Sequence, residues 1–99
     1  MLLQIGGGMG LPLERVVCIL NARQLGPETR RLFEHARCER RYTACAGHPR
    51  AYLIATDAAG HTAVYESTVA AATLERRWRE AHPLAQVRAQ AVLTVTAAE

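Results

Sequence analysis

The segment Gly6-Gly7-Gly8-Met9-Gly10 constrains this chain more than any other, because its glycines stop the apolar run of residues 2–5 and turn the backbone on itself. The apolar pattern resumes over residues 11–20, where Val16, Val17 and Ile19 supply the β-branched side chains of a strand. Pro12 stands near the beginning of that run, where a missing backbone donor does least harm. The two runs therefore read as a hairpin with a bulged, glycine-rich connection. Gly6-x-Gly8-x-Gly10 also invites comparison with a phosphate loop. It lacks the sixth-position glycine and any Lys-Ser/Thr, and a proline and a strand pattern follow where a helix N-terminus is needed. The turn reading wins.

A helix is predicted next. Gly26-Pro27 marks its beginning, Glu28 suits the positive end of the dipole, and Thr29, Leu32, Phe33 and Ala36 repeat at helical spacing. Arg40 and Arg41 fit its C-terminal end. Three strands are expected over residues 42–46, 50–56 and 61–65, the last two joined by Asp57-Ala58-Ala59-Gly60. Both alternate sets of residues 51–56 are apolar, so that strand is expected to be covered on both sides. Ser67 or Thr68 can cap a second helix over residues 69–81, with Val69, Ala72, Trp78 and Ala81 turned inward. Pro83 stops it. Residues 87–97 then alternate with period two, the cleanest strand signal in the chain. The sum is one α+β domain over residues 1–81: a small antiparallel sheet of about five strands with two helices. Residues 82–99 form a C-terminal extension that reads as a further strand.

Composition narrows the function. No stretch approaches the roughly 18 apolar residues of a membrane span, and the glycines break up anything resembling a signal peptide. Three cysteines, Cys18, Cys38 and Cys45, are an odd number and argue against a secreted disulfide framework, so a reducing cytoplasm is expected. All 12 basic residues are arginine. Between Arg23 and Arg50 lie seven arginines against three glutamates, a local net charge of +4 where the whole chain carries +3. A planar guanidinium matches phosphate oxygens bidentately, and a basic face concentrates polyanions. The plainer reading is a GC-rich genome and a solvated face.

The search for catalytic groups finds almost nothing. Ser67 is the only serine that could act as a nucleophile and reads as a helix cap, while His35, His48, His61 and His82 are scattered. No paired carboxylates accompany an apolar pocket signal, so no enzyme, cofactor or small-molecule substrate is expected. His35-x2-Cys38 and Cys45-x2-His48 offer four zinc-type ligands in two pairs. Their six-residue separation is short for a finger or ribbon, and Cys45 falls in a predicted strand, so core cysteines are preferred and no metal is expected.

Several segments together resemble the extracellular matrix regulator family, the RemA and RemB proteins of bacteria. They are Leu3-Gln4-Ile5-Gly6-Gly7, Leu11-Pro12-Leu13-Glu14-Arg15-Val16-Val17-Cys18-Ile19-Leu20, Thr29-Arg30-Arg31-Leu32-Phe33-Glu34-His35-Ala36-Arg37, Gly47-His48-Pro49-Arg50-Ala51 and the stretch from Tyr65 to Arg77. The resemblance covers about residues 1–78 and leans towards the RemB branch. It implies a small α+β subunit that closes into a cyclic homo-oligomer and holds duplex DNA on the ring's periphery, activating biofilm-matrix genes with little base reading. The family's basic contact at the head of the second strand falls on Arg15. RemA's adjacent arginine pair falls on Gly47 and His48, so that pair is lost, while the RemB-style basic position of the same turn is met by Arg50. The expected DNA contacts are therefore Arg15, His48 and Arg50, with Arg40 and Arg41 in lesser roles. Two other classes stay open: a protein-interaction module using the exposed strand of residues 87–97, and a small zinc-binding domain.

Overall fold

The structure, a computed structural model, describes residues 1–81; the strand expected over residues 87–97 lies outside them. The fold is α+β, with two helices, a two-stranded sheet and a four-stranded sheet. Strands β1 (Leu2–Gly6) and β2 (Met9–Pro12) make the expected antiparallel hairpin, with the register shift of a bulge between Gln4 and Gly6. Gly6 has φ +96°, and a Cβ there would stand 2.7 Å from Thr68 Oγ1, so both its backbone and its neighbour demand glycine.

Residues 11–20 are not one strand. A single 3-10 turn, Leu13–Arg15, separates β2 from β3 (Val16–Asn21). Pro12 cannot donate to a ladder, and Leu13 turns inward to become a buried core residue, so the chain bends off the hairpin and begins a second sheet. After β3 come α1 (Pro27–Cys38), β4 (Tyr42–Thr43), β5 (Ala51–Thr56), β6 (Thr62–Ser67) and α2 (Ala71–Ala81).

The four-stranded order is β3-β5-β6-β4. β3 pairs antiparallel with β5 and β5 with β6, but β4 runs parallel to β6, so the expectation of one antiparallel sheet is corrected to a mixed one. β3 and β4 thus point the same way at opposite edges, with α1 crossing between them and the β5–β6 hairpin filling the gap. This is a split βαβ unit. A short pattern such as Tyr42-Thr43 carries no mark of direction; the length of the α1 crossover decides it, since a parallel return needs a long connection.

Alternation on β5 assigns the two faces. Ala51, Leu53 and Ala55 are buried on one face, and Ala51 and Leu53 join Leu3 and Ile5 of the hairpin and Leu74 of α2 in one core. Tyr52 faces the other side, where Phe33 and Ala36 of α1 pack on Val64. α2 begins two residues later than its predicted start, and its buried contacts are Leu74 and Trp78; Ala72 is exposed. Ser67 is fully buried and does not cap it. Its hydroxyl donates to the Ile5 carbonyl at 2.6 Å and accepts from the Val69 amide at 3.0 Å, tying the hairpin to the end of β6.

Candidate nucleic-acid interface

The expected contact residues divide between the two ends of the main sheet. Val16 pairs with Ala55 and Asn21 with Ala51, so Arg15, just before β3, and Arg50, just before β5, lie at opposite ends of the same strand pair. Six residues of strand separate them by roughly 20 Å. His48, in the loop between β4 and β5, belongs with Arg50. Arg41 belongs with Arg15: its carbonyl accepts from the Val64 amide at 2.9 Å, near the Thr62 end of β6. Arg40 is its chain neighbour. The five residues do not form one cluster.

The Arg50 end holds a cleft of about 410 Å³, lined by Arg23, Pro49, Arg50, Ala70, Ala71 and Ala72. Arg50 is mounted rigidly, since its amide donates to the Ser67 carbonyl at 2.8 Å and its carbonyl accepts from Ala22 at 3.2 Å. Arg23 is held by a local turn in which its amide donates to the Asn21 side-chain oxygen at 2.9 Å. The opposite wall is the start of α2. Its first intrahelical bond runs from the Leu74 amide to the Ala70 carbonyl, leaving the amides of Ala71, Ala72 and Thr73 without intrahelical acceptors. No carboxylate stands in this first turn. Two guanidinium groups and a positive helix end thus line one opening, an arrangement suited to a phosphate. Arg23 was not among the expected contacts. Its place in the basic run was visible, but its partnership with Arg50 exists only through the β3–β5 register.

At the other end, Arg15 and Arg40 are exposed. Among the described residues Arg15, Arg23, Arg40 and Arg50 form no ion pair. Arg41 is committed instead, paired with Glu39 and with its Nε buried. Arg37 is also committed: it pairs with Glu34 at 2.8 Å, donates to the Tyr42 hydroxyl at 3.2 Å and lies 4.4 Å over the Tyr42 ring. Arg40 has φ +60°, occupying the left-handed position past the end of α1 that glycine usually fills.

Glu66 anchors the loop that carries His48. It accepts from the Tyr42 hydroxyl at 2.5 Å and from the Cys45 amide at 3.0 Å. Burial opposes its ionisation, but these two bonds outweigh it and hold its carboxyl below the ordinary range. Burial and the same carboxylate push the Tyr42 phenol up to about 12. Burial raises the thiols of Cys18 and Cys45, so neither is an activated nucleophile. His35 pairs with Glu39 at 2.9 Å, Cys38 is exposed, and the Cys45 sulfur lies 3.7 Å from the Gly47 carbonyl. Among the described residues no three His, Cys, Asp or Glu side chains are grouped to hold a metal, and no helix is long and apolar enough to cross a membrane. The chain matches no model of a known protein family, and no curated protein matches it.

Proposed function

We propose that this chain is a non-enzymatic, cytoplasmic DNA-binding regulator that assembles into a ring and holds the phosphate backbone of duplex DNA through arginines. On this reading it acts as RemA- and RemB-type proteins do, with biofilm-matrix genes as the class of target. The observation that carries the reading is the cleft at the Arg50 end, where Arg23 and Arg50 face the uncapped N-terminus of α2. Neither arginine is neutralised by a carboxylate among the described residues, and nothing in the cleft reads as a general acid, base or nucleophile. Such a site recognises phosphate and carries no sequence information of its own. The supporting test is a salt titration of duplex binding. Arg23→Ala and Arg50→Ala should each weaken binding by a similar factor on every duplex, and should make the salt slope shallower by about one unit per lost phosphate contact in each engaged subunit. Unchanged affinity at low salt for both variants would remove the cleft from the DNA site.

A second reading rests on Val17. It sits at the bulge of edge strand β3, and 52% of its surface is exposed. An apolar side chain on an open strand edge suits a self-assembling scaffold without DNA. That reading expects self-association insensitive to salt and no shift of duplex DNA in a gel.

A further inference from the structure

We propose that residues 87–97 of this chain add a fifth strand to the main sheet, parallel to β3 and along its open edge. In the order β3-β5-β6-β4, β3 has a strand partner on one side only among the described residues, so its other side presents unpaired backbone donors and acceptors. Val17 is exposed there, and Cys18, Ile19 and Leu20 are half-buried. The course of α2 leads the chain to this edge. The helix starts at the Asn21 end of β3, where Ala70 and Ala71 line the cleft with Asn21 and Arg50, and Val69 lies against Gly6. It packs on β1 and β3, and Arg77 donates to the Gln4 carbonyl at 3.1 Å. From Gly6 to Gln4 is the direction of Met1, whose carbonyl accepts from the Leu13 amide just ahead of β3. The helix thus runs antiparallel to β3 and delivers the chain at the Val16 end. Residues 82–86 make an ordinary helix-to-strand connection. A strand begun there runs parallel to β3, with α2 as its crossover from β6.

Handedness selects this edge over the one at β4. The β3–α1–β4 connection crosses the sheet in one direction with α1 on the Phe33 face. A connection from β6 through α2 to the β3 edge crosses in the other direction, with α2 on the opposite face. Reversing both direction and face leaves the hand unchanged. A strand beyond β4 would give the α2 crossover the opposite hand, and parallel crossovers are almost always right-handed. The residue pattern fits the two sides at β3 as well. The odd-numbered residues 87–97 are all apolar, and of the even-numbered ones only Val92 is. α2 packs against β3 on one face, whereas α1 packs against β6 and β4 on the other. A strand at the β3 edge therefore needs one apolar side, under α2, and one polar side. Trp78, one turn before the end of α2, has a buried Nε1 without an acceptor among the described residues, and a carbonyl of the chain that follows can supply one. With its own chain on the edge, β3 is closed to a second copy, which is the reverse of what the scaffold reading requires.

Cys18 can report the placement. Ile19 packs with the α2 core and Leu20 with Phe33, so Cys18, like Leu20, lies on the face away from α2. In the full chain carrying Cys38→Ser and Cys45→Ser, one further cysteine is introduced at a time. The first set is Arg88→Cys, Gln90→Cys and Val92→Cys, and the second is Ala89→Cys, Ala91→Cys and Leu93→Cys. Neighbours on adjacent strands stand about 5 Å apart, within disulfide reach when they share a face. Mild oxidation should give an intrachain disulfide to Cys18 in at least one member of the first set, about tenfold faster than in any member of the second. No intrachain disulfide in the first set, faster closure in the second, or disulfides that join two chains would each overturn the proposal. Two variants of the natural chain give a readout independent of the cysteines. Gln90→Pro and Ala91→Pro remove successive backbone donors, one of which faces β3 and the other solvent. At least one of them should lower Tm by about 4 °C or more, and an unchanged Tm in both would overturn the added strand.

Discussion

At the scale of single residues, Arg40 and Tyr42 carry the sharpest expectations. The Arg41 amide donates to the Ala36 carbonyl at 2.8 Å, which closes the end of α1 around a left-handed Arg40. An L side chain there costs about 1 kcal/mol relative to glycine. Arg40→Gly should therefore stabilise the fold by about that amount and raise Tm by roughly 4–8 °C, while weakening DNA binding; thermal and binding curves on one preparation measure both. Arg40→Ala keeps the strain and loses only the charge. For Tyr42, the folded pKa of about 12 stands above the ordinary 10.0, so its contribution is complete below pH 10 and fades as pH rises through 12. Glu66 has the opposite sign: its folded value lies below the ordinary 4.5, so its contribution is present above that value and fades as pH falls through the lower one. An ultraviolet titration should show one of the three tyrosines ionising near pH 12. Tyr42→Phe should abolish that late step, lower stability by about 1 kcal/mol, and move acid unfolding to higher pH. A variant with unchanged acid unfolding would remove Tyr42 as the support of Glu66.

At the scale of elements, the start of α2 links stability to function. A helix beginning Ala70-Ala71-Ala72 has no side chain to satisfy its first amides: Ser67 is spent on Ile5 and Val69, and the Thr68 hydroxyl lies against Gly6. Ala70→Asp would supply a cap and a favourable charge, worth about 1 kcal/mol of stability. The same carboxylate would occupy the amides and face Arg23 and Arg50 across the cleft. The expected outcome is a protein that melts higher and binds duplex DNA at least tenfold more weakly. A stabilised variant with full affinity would show that α2 takes no part in phosphate contact. The short β4 is an element of another kind. Two residues of parallel pairing hold little, and Glu66 fastens the outgoing loop through Cys45, which fixes where His48 and Pro49 begin their return to β5.

At the scale of the whole molecule, the half-covered face of β3 and β5 and the net charge of +3 make opposite demands. Apolar surface favours association, whereas the like net charge of two copies opposes it. The balance should depend on salt and on DNA. Light scattering is expected to give a mass above 10.9 kDa at micromolar concentration, and the larger species should be favoured by added duplex or by salt that screens the arginines. A stable monomer under all three conditions would exclude the ring.

Much of the architecture is written in local pattern. The glycine cluster specified the hairpin, Gly26-Pro27 and the spacing of Phe33 and Ala36 specified α1, and the apolar pattern of residues 51–56 marked a strand, which is buried on one face and half-buried on the other. These features rest on backbone sterics and on periods of two or 3.6 residues, which act over a few neighbours. The 3-10 break at Leu13–Arg15, the parallel direction of β4 and the diversion of Ser67 from capping to fastening the hairpin depend on partners far along the chain. The same holds for the site. Sequence supplied the arginines and their local excess of charge, but nothing in their spacing separates Arg15 from Arg50 or joins Arg50 to Arg23. Strand register alone does that, because it brings residues 21 and 51 together and sends residue 15 to the far end.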